Sequence, residues 1–190
     1  LDRHLNWKYH IALISKKISK TIGILHKLKH YVPITILLNI YNALVLPYLS
    51  YGALLWHRFA NRLLVLQKKA IRAICNCKYN AHTGILFKNL ELLKCTDMHR
   101  LQCFKFCYKL ENNLLPDYFL NGNMFEKRSA SSRYQTRGIN NYVIPRDRHE
   151  FAKYGLRYTI AIFYNEMNPE IKNKVNTHSL QGFKSYVKKS

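Results

Sequence analysis

Apolar residues recur at steps of three and four through the first thirty positions of this chain. They are Ile11, Ile14, Ile18, Ile22, Leu25 and Leu28. This spacing predicts one apolar stripe on an α-helix that continues to about His30. Lys16, Lys20 and Lys27 fall within roughly a 40° arc on the opposite side, counting about 100° per residue. The chain is therefore expected to begin with an amphipathic helix and to belong to the mainly α class, as a helical bundle.

Residues 61–76 predict a second helix of the same design. Its inward positions would be Leu63, Leu66, Ala70 and Ile74. Its basic positions cluster within about a third of the circumference, and they are Arg62, Lys68, Lys69 and Arg72. Two helices with basic faces are thus expected in the first half of the chain. An ordinary solvated lysine face is the alternative interpretation for each helix taken alone.

The charge distribution favours a polyanionic partner over an ordinary solvated surface. From Arg3 to Leu90 the sequence has no Asp or Glu but has fourteen Lys and Arg, and the whole chain of 190 residues has a formal net charge of +21. Nucleic-acid phosphates and anionic lipid headgroups are the two partners that such a balance suits. A site that holds two metal ions needs carboxylates, which this half of the chain does not supply. We predict no catalytic residues, and we predict nucleic-acid contacts at the seven basic positions named above.

An uncharged stretch from His30 to His57 is long enough to cross a bilayer. Asn39, Asn42 and Pro47 within it, and positive residues on both sides, favour a kinked pair of buried helices instead. The residues expected in the core are Leu37, Tyr41, Leu44, Tyr48, Leu55 and Trp56. A membrane-associated protein remains the less favoured alternative.

Cys95, His99, Cys103 and Cys107 recur every four residues on a helix predicted to begin with Thr96 as its N-cap and to end near Leu110. A ligand at i+8 lies about 12 Å along the helix axis from the first, and no Cys-x-x-Cys pair is present. We therefore expect a half-buried row of thiols, with no metal and no cofactor in this chain. A zinc protein is the weakest alternative. Five cysteines without a secretory signal favour reduced thiols in an intracellular, nuclear or cytoplasmic protein.

Composition predicts three regions. Residues 1–110 would form the basic helical domain, residues 111–150 an extended basic linker, and residues 151–190 a small C-terminal helical unit that packs on the main body. The last unit would bury Ile160, Phe163 and Tyr164, and a capped helix after Ser179 would turn three further residues inward. Those three are Leu180, Phe183 and Val187.

The order of several motifs resembles a known family. These motifs are Leu1-Asp-x-x-Leu-Asn-Trp-Lys, Lys17-Ile-Ser-Lys-x-Ile-Gly, His30-Tyr-Val-Pro33, Leu44-Val-Leu-Pro-Tyr-Leu-Ser-Tyr-Gly52 with Trp56, Leu66-Gln-Lys-Lys-Ala-Ile-Arg72, Asn113-Leu-Leu-Pro116 and Ser179-Leu-x-x-Phe-Lys184. Together they resemble the region after the polymerase palm in non-LTR (LINE-like) retrotransposon reverse transcriptases of the jockey and CR-one type. The resemblance covers nearly the whole chain. Tyr164 stands where the family usually has Trp, and no zinc knuckle is present.

The resemblance implies a right-hand polymerase whose fingers and palm precede Leu1, with the thumb beginning near His10 and a helical post-thumb region after it. It also implies that the parent polymerase would need Mg²⁺ and that its catalytic aromatic-x-Asp-Asp turn lies outside this chain. Since the N-terminus has neither an initiator Met nor a signal-peptide pattern, we expect the chain to begin within a longer reading frame. The expected function is that of a catalytically incomplete C-terminal fragment that grips a template-primer duplex of RNA, DNA or hybrid. The alternative is a stand-alone basic nucleic-acid-binding protein derived from a decayed element.

Overall fold

The computed structural model describes residues 7–56, 59–121, 124–131, 139–146, 148, 152–153 and 155–177. They are mainly helical, as the periodicity predicts, and they form two compact units that divide between His99 and Arg100. In order, the helices are α1 Lys8–Leu28, α2 Ile34–Leu44, α3 Leu46–Ser50, α4 Ala53–Trp56, α5 Ala60–Ile74, α6 Thr83–Asn89, α7 Cys95–Glu111, α8 Asp117–Asn121, α9 Arg128–Ser131, α10 Leu156–Glu166 and α11 Pro169–Thr177. Within this part of the chain, pairing between extended segments is limited to one antiparallel bridge, between Lys127 and Tyr142.

The core of unit 1, Leu1–His99, is formed by the packing of α1 against α5 and α2. The predicted stripe on α1 is buried from Ile11 to Leu25, and Leu28 at the helix end is half-buried. On α5 the predicted inward residues Leu63, Ala70 and Ile74 are buried, whereas Leu66 is only half-buried. The apolar stripe of α1 thus provides one side of the core, and burial of its aliphatic side chains stabilises the fold.

The uncharged stretch folds into three short helices and not into a kinked pair. The buried residues step by four through Leu37, Tyr41, Val45, Leu49 and Ala53, and then by three to Trp56. This row keeps one face inward through the break at Val45, where the chain leaves α2 and begins α3 with Pro47 in its first turn.

Two residues expected in the core are therefore displaced from it. Leu44 and Leu55 are 44% and 45% exposed, while Tyr48 is half-buried below the ammonium of Lys17, 5.0 Å from the ring centroid. The prediction was right for Leu37, Tyr41 and Trp56 and wrong for Leu44 and Leu55. Among the helices described, none combines the length and the hydrophobicity needed to cross a membrane.

Trp56 is fixed in the core by a tight turn. Its indole Nε1 donates a 2.8 Å hydrogen bond to the carbonyl of Tyr51, and its side chain is 1% exposed. Gly52 follows with φ of +65°, and a Cβ atom at this position would lie 3.3 Å from Trp56 Nε1. The turn between α3 and α4 therefore needs glycine both for its backbone angle and for the space that the indole occupies.

Gln67 of α5 connects three segments of unit 1 inside the core. Its Nε2 donates to the hydroxyl of Tyr41 and to the carbonyl of Leu93, at 2.8 Å each, and its Oε1 accepts the backbone N–H of Cys95 at 2.8 Å. Cys95 is the first residue of α7, so a side chain from another helix satisfies a donor at the start of this helix. The predicted N-cap, Thr96, lies inside α7 instead. Burial of its phenol raises the pKa of Tyr41 to about 12.

Unit 2, Arg100–Ser190, is organised around a buried carboxylate. Glu111 accepts a hydrogen bond from the Tyr142 hydroxyl and pairs with the ammonium of Lys127 at 2.7 Å. Asn165 holds the backbone of Tyr142 from both sides, through its Oδ1 at 2.9 Å and its Nδ2 at 3.0 Å. Burial and the hydrogen bond to Glu111 both raise the pKa of Tyr142, so the phenol stays protonated.

The stretch predicted as an extended linker contributes to this core. Tyr142 is 3% exposed, and its ring contacts Phe125 and Tyr164 edge-on. Within the C-terminal region, Ile160 and Tyr164 are buried as predicted, and Phe163 packs edge-on against Phe104 of α7. The predicted helix with Leu180, Phe183 and Val187 lies outside the described residues.

Candidate nucleic-acid interface

The face of α1 opposite its buried stripe presents the three predicted lysines. Lys16, Lys20 and Lys27 are all exposed, and we refer to them as the lysine stripe. Because Lys27 lies 11 positions after Lys16, the stripe extends about 16 Å along the helix at about 1.5 Å per residue. Its spacing follows directly from the apolar stripe on the other side, because both repeat with the helical period.

Two neighbours extend the lysine stripe. Tyr9 lies seven residues before Lys16, on the same side of α1, and is 69% exposed. Gly23 lies between Lys20 and Lys27 with nothing within 4 Å of the place where a Cβ would be, so it leaves a gap in the surface. The spacing of seven residues could have revealed Tyr9 from the sequence. Tyr9 offers an aromatic face of the kind on which bases stack.

The four basic residues predicted on α5 do not form one exposed cluster. Arg62 and Lys69 are exposed, whereas Lys68 and Arg72 are half-buried. They are on a different helix from the lysine stripe, and α1 and α5 pack together through their apolar sides. The structure thus places the seven predicted residues on two helices of one unit, with five of them exposed.

Arg72 has a structural partner. Its Nε donates a 2.9 Å hydrogen bond to the carbonyl of Ala81, nine residues later. This bond closes the loop that follows α5, in which Lys78 and Tyr79 are exposed, Tyr79 by 89%. Arg72 is therefore better understood as the anchor of a loop that carries a lysine and a tyrosine. Sequence reasoning missed this pair because the loop has no helical periodicity.

The charged residues in the described part of unit 1 are mostly positive. Its first acidic residue is Glu91, followed by Asp97 at the start of α7. None of the five helices before residue 75 has an acidic residue in its first turn. Helices α1 to α5 therefore contain no carboxylate that would offset the positive field of their own lysines and arginines, and such a field attracts phosphates from a distance.

The row of cysteines is buried more completely than predicted. Cys95, Cys103 and Cys107 are each at most 1% exposed. Burial raises the pKa of Cys95 to about 11 and that of Cys103 to about 12, so these thiols stay protonated near neutral pH. His99 places its Nδ1 3.2 Å from the carbonyl of Ala53. In the part of the chain that the structure describes, no three His, Cys, Asp or Glu side chains come together as a metal site would require.

No protein-family model, no curated protein and no solved structure matches this chain. The case for its function therefore depends on the geometry and charge of the surfaces described above. These surfaces can bind phosphates along a backbone and stack exposed rings, and both are forms of binding that need no reactive group.

Proposed function

We propose that this chain binds nucleic acid through unit 1, as the thumb and post-thumb part of a non-LTR retrotransposon reverse transcriptase. The observation that carries the proposal is the exposed lysine stripe of α1 in a unit whose sequence is free of acidic residues from Arg3 to Leu90. A template-primer duplex offers a row of phosphates, and an α-helix with lysines along one side can contact such a row without reading sequence.

In this proposal each group has a defined role. Lys16, Lys20 and Lys27 contact phosphates, and Tyr9 extends the contact surface toward the start of α1. Arg62 and Lys69 add positive field from α5. Lys68 and Arg72 contribute less, because both are half-buried and the Nε of Arg72 is engaged with the Ala81 carbonyl.

We assign no polymerase chemistry to this chain. Its ten acidic residues include no adjacent pair of aspartates, and nucleotidyl transfer needs carboxylates that hold two Mg²⁺ ions. The polymerase activity would belong to a palm in the parent protein, which is also the proposed intramolecular partner. A nuclear or cytoplasmic location would follow from this function.

The salt dependence of duplex binding tests the proposal. The test protein carries Lys16→Gln, Lys20→Gln and Lys27→Gln, and the control carries Lys109→Gln, Arg148→Gln and Arg157→Gln, three exposed cations of unit 2. Both proteins lose three positive charges, so a change in net charge alone affects them equally. Affinity for an RNA–DNA hybrid duplex is measured by fluorescence anisotropy over a series of salt concentrations.

Removal of three phosphate contacts should lower the slope of log K against log salt concentration by about 2.7 in the test protein, since each contact contributes about 0.9. The control should change by less than about 1. Equal slopes in the wild type and the test protein would show that the three lysines are only solvated, and the proposal would then be wrong.

A further inference from the structure

A cleft in unit 2 combines positive charge with an aromatic side chain. It has a cavity volume of about 620 Å³. The cations that line it are Arg128, Arg146 and Lys153, its apolar wall is residues 143–145, and Tyr158 completes it. We name this site the basic cleft. No described residue that lines it is acidic.

The backbone explains why Arg128 faces the cleft while its neighbour faces the core. Residues 126–128 pair antiparallel with residues 141–143, through Val143 N–H to the Glu126 carbonyl at 2.8 Å and Arg128 N–H to the Asn141 carbonyl at 2.9 Å. Side chains alternate between the two sides of an extended pair. Lys127 and Tyr142 both reach Glu111 on one side, whereas Arg128 and Val143 line the cleft on the other.

The other wall depends on the turn before α10. Gly155 donates its backbone N–H to the Ala152 carbonyl at 2.9 Å, and a Cβ on Gly155 would lie 3.0 Å from that same oxygen. This close turn leads from Lys153 to Tyr158 in the first turn of α10. Tyr158 brings the first turn of α10 to the cleft, and this turn contains no acidic residue, so the positive end of the helix dipole adds to the positive charge there.

These features select the ligand by charge and size. Exposed cations on several sides of a concave site favour an anion with several oxygens, of which a phosphate is the most common. The volume falls within the usual range of roughly 300–1,000 Å³ for sites that bind small ligands. A cleft of this volume is too small to hold a double helix, which is about 20 Å wide. A half-buried tyrosine on the wall suits the flat face of a base that is not paired.

We propose that the basic cleft binds a single-stranded segment of nucleic acid, with a phosphodiester held by Arg146 and Lys153 and a base stacked on Tyr158. This inference goes beyond the proposed function and does not depend on it, because the lysine stripe belongs to unit 1 and the cleft to unit 2. The apolar residues 143–145 would contact the sugar and the edge of the base. No bond is made or broken at this site.

The test uses the full chain and a thymidine tetranucleotide as the probe, followed by methyl NMR at Val143 and Ile144 on the cleft wall. The cleft variant carries Arg146→Gln and Lys153→Gln. The matched control carries Arg148→Gln and Arg157→Gln, two exposed cations that do not line the cleft. The probe should shift both methyl signals in the wild type and in the control, and the cleft variant should bind it at least about tenfold more weakly, as the loss of charge-assisted contacts predicts.

A second pair of variants tests stacking. Tyr158→Phe keeps the aromatic face and should bind the tetranucleotide within about twofold of the wild type, whereas Tyr158→Leu should bind it about tenfold more weakly. A protein with Lys16, Lys20 and Lys27 changed to Gln should keep the methyl shifts. If it lost them, the tetranucleotide would be bound at unit 1 and the inference would be wrong.

Three further results would overturn the inference. The first is a titration in which the Val143 and Ile144 methyl signals do not move. The second is an equal loss of affinity in the cleft variant and in its control. The third is an affinity for inorganic phosphate, or for a peptide of four glutamates, that equals the affinity for the tetranucleotide, because either would show a site for anions in general.

Discussion

Gln67→Leu should destabilise unit 1 strongly, although leucine is apolar and of similar size. The wild-type amide makes three hydrogen bonds of 2.8 Å each, to the Tyr41 hydroxyl, the Leu93 carbonyl and the Cys95 N–H. Tyr41 and Cys95 are at most 1% exposed, so water cannot replace the lost partner there. Each buried polar group left without a partner costs about 1–3 kcal/mol. Leu93 is only half-buried, and its carbonyl adds less.

Gln67→Leu leaves two fully buried groups and one partly buried group without a partner. We therefore expect the free energy of unfolding to fall by about 3–5 kcal/mol. That is a large share of the roughly 5–15 kcal/mol by which a typical domain is stable. Both tryptophans of the chain, Trp7 and Trp56, lie in unit 1. Urea unfolding followed by tryptophan fluorescence therefore measures the free energy of unfolding of this unit without a signal from unit 2.

A double-mutant cycle with Tyr41→Phe identifies the cause. Once the hydroxyl is removed, Gln67→Leu leaves one orphan fewer, so its cost should fall by about 1 kcal/mol or more in the Tyr41→Phe protein. Asn61→Leu, an exposed polar residue of the same helix, is the control and should change stability by less than about 0.5 kcal/mol. A cost of under about 1 kcal/mol for Gln67→Leu would refute the argument that these bonds connect α2, α5 and the start of α7.

Three further outcomes are expected. Burial raises the pKa of Tyr41 from 10.0 to about 12, so between these pH values the folded state keeps a proton that the unfolded state releases. The free energy of unfolding should therefore fall by about 1.4 kcal/mol per pH unit in this range. Tyr41→Phe should remove this pH dependence, and an unchanged dependence would contradict the argument. Gly52→Ala should cost about 2 kcal/mol in urea unfolding, since it combines a positive φ with a contact on Trp56; a neutral result would contradict that reasoning. In the folded protein a thiol reagent should modify the half-buried Cys75 and Cys77 and leave the other three until unfolding; equal rates for all five would contradict the burial.

The parts of the fold that sequence predicted best are those where one period runs uninterrupted. The stripe of α1 repeats over six positions, and the structure buries five of its members and half-buries the sixth. The uncharged stretch was predicted less well, because apolar residues are too numerous there to mark one face. The break at Val45 decided that Val45 and Leu49 are buried while Leu44 is exposed.

In the candidate interface too, some residues could be predicted from the sequence and others could not. The lysine stripe could be derived from the sequence, since its positions follow from the apolar positions on the opposite side of α1. The role of Arg72 could not, because its partner Ala81 is reached only when the loop after α5 folds back. For the same reason Lys78 and Tyr79 were missed.

Gln67 and Tyr142 show what a linear pattern omits. Gln67 lies one residue after Leu66, which the helical period favoured for the core, yet Gln67 is the residue that is fully buried. Its burial is possible only because two distant segments supply partners for its amide. Tyr142 lies in a stretch whose composition predicts a linker. It is buried because Glu111 accepts a hydrogen bond from its hydroxyl and Asn165 accepts one from its backbone N–H.

By itself, the sequence determined the helical class, the face of α1 that is buried and the positive charge of unit 1, because each depends on local periodicity or on composition. The basic cleft was decided only by the tertiary structure. The four residues Arg128, Arg146, Lys153 and Tyr158 are spread over 31 residues with no common period, and pairing of extended segments together with a glycine turn brings them to one site. Charge can be counted along a chain, but a concave arrangement of charges requires the contacts between distant segments that folding makes.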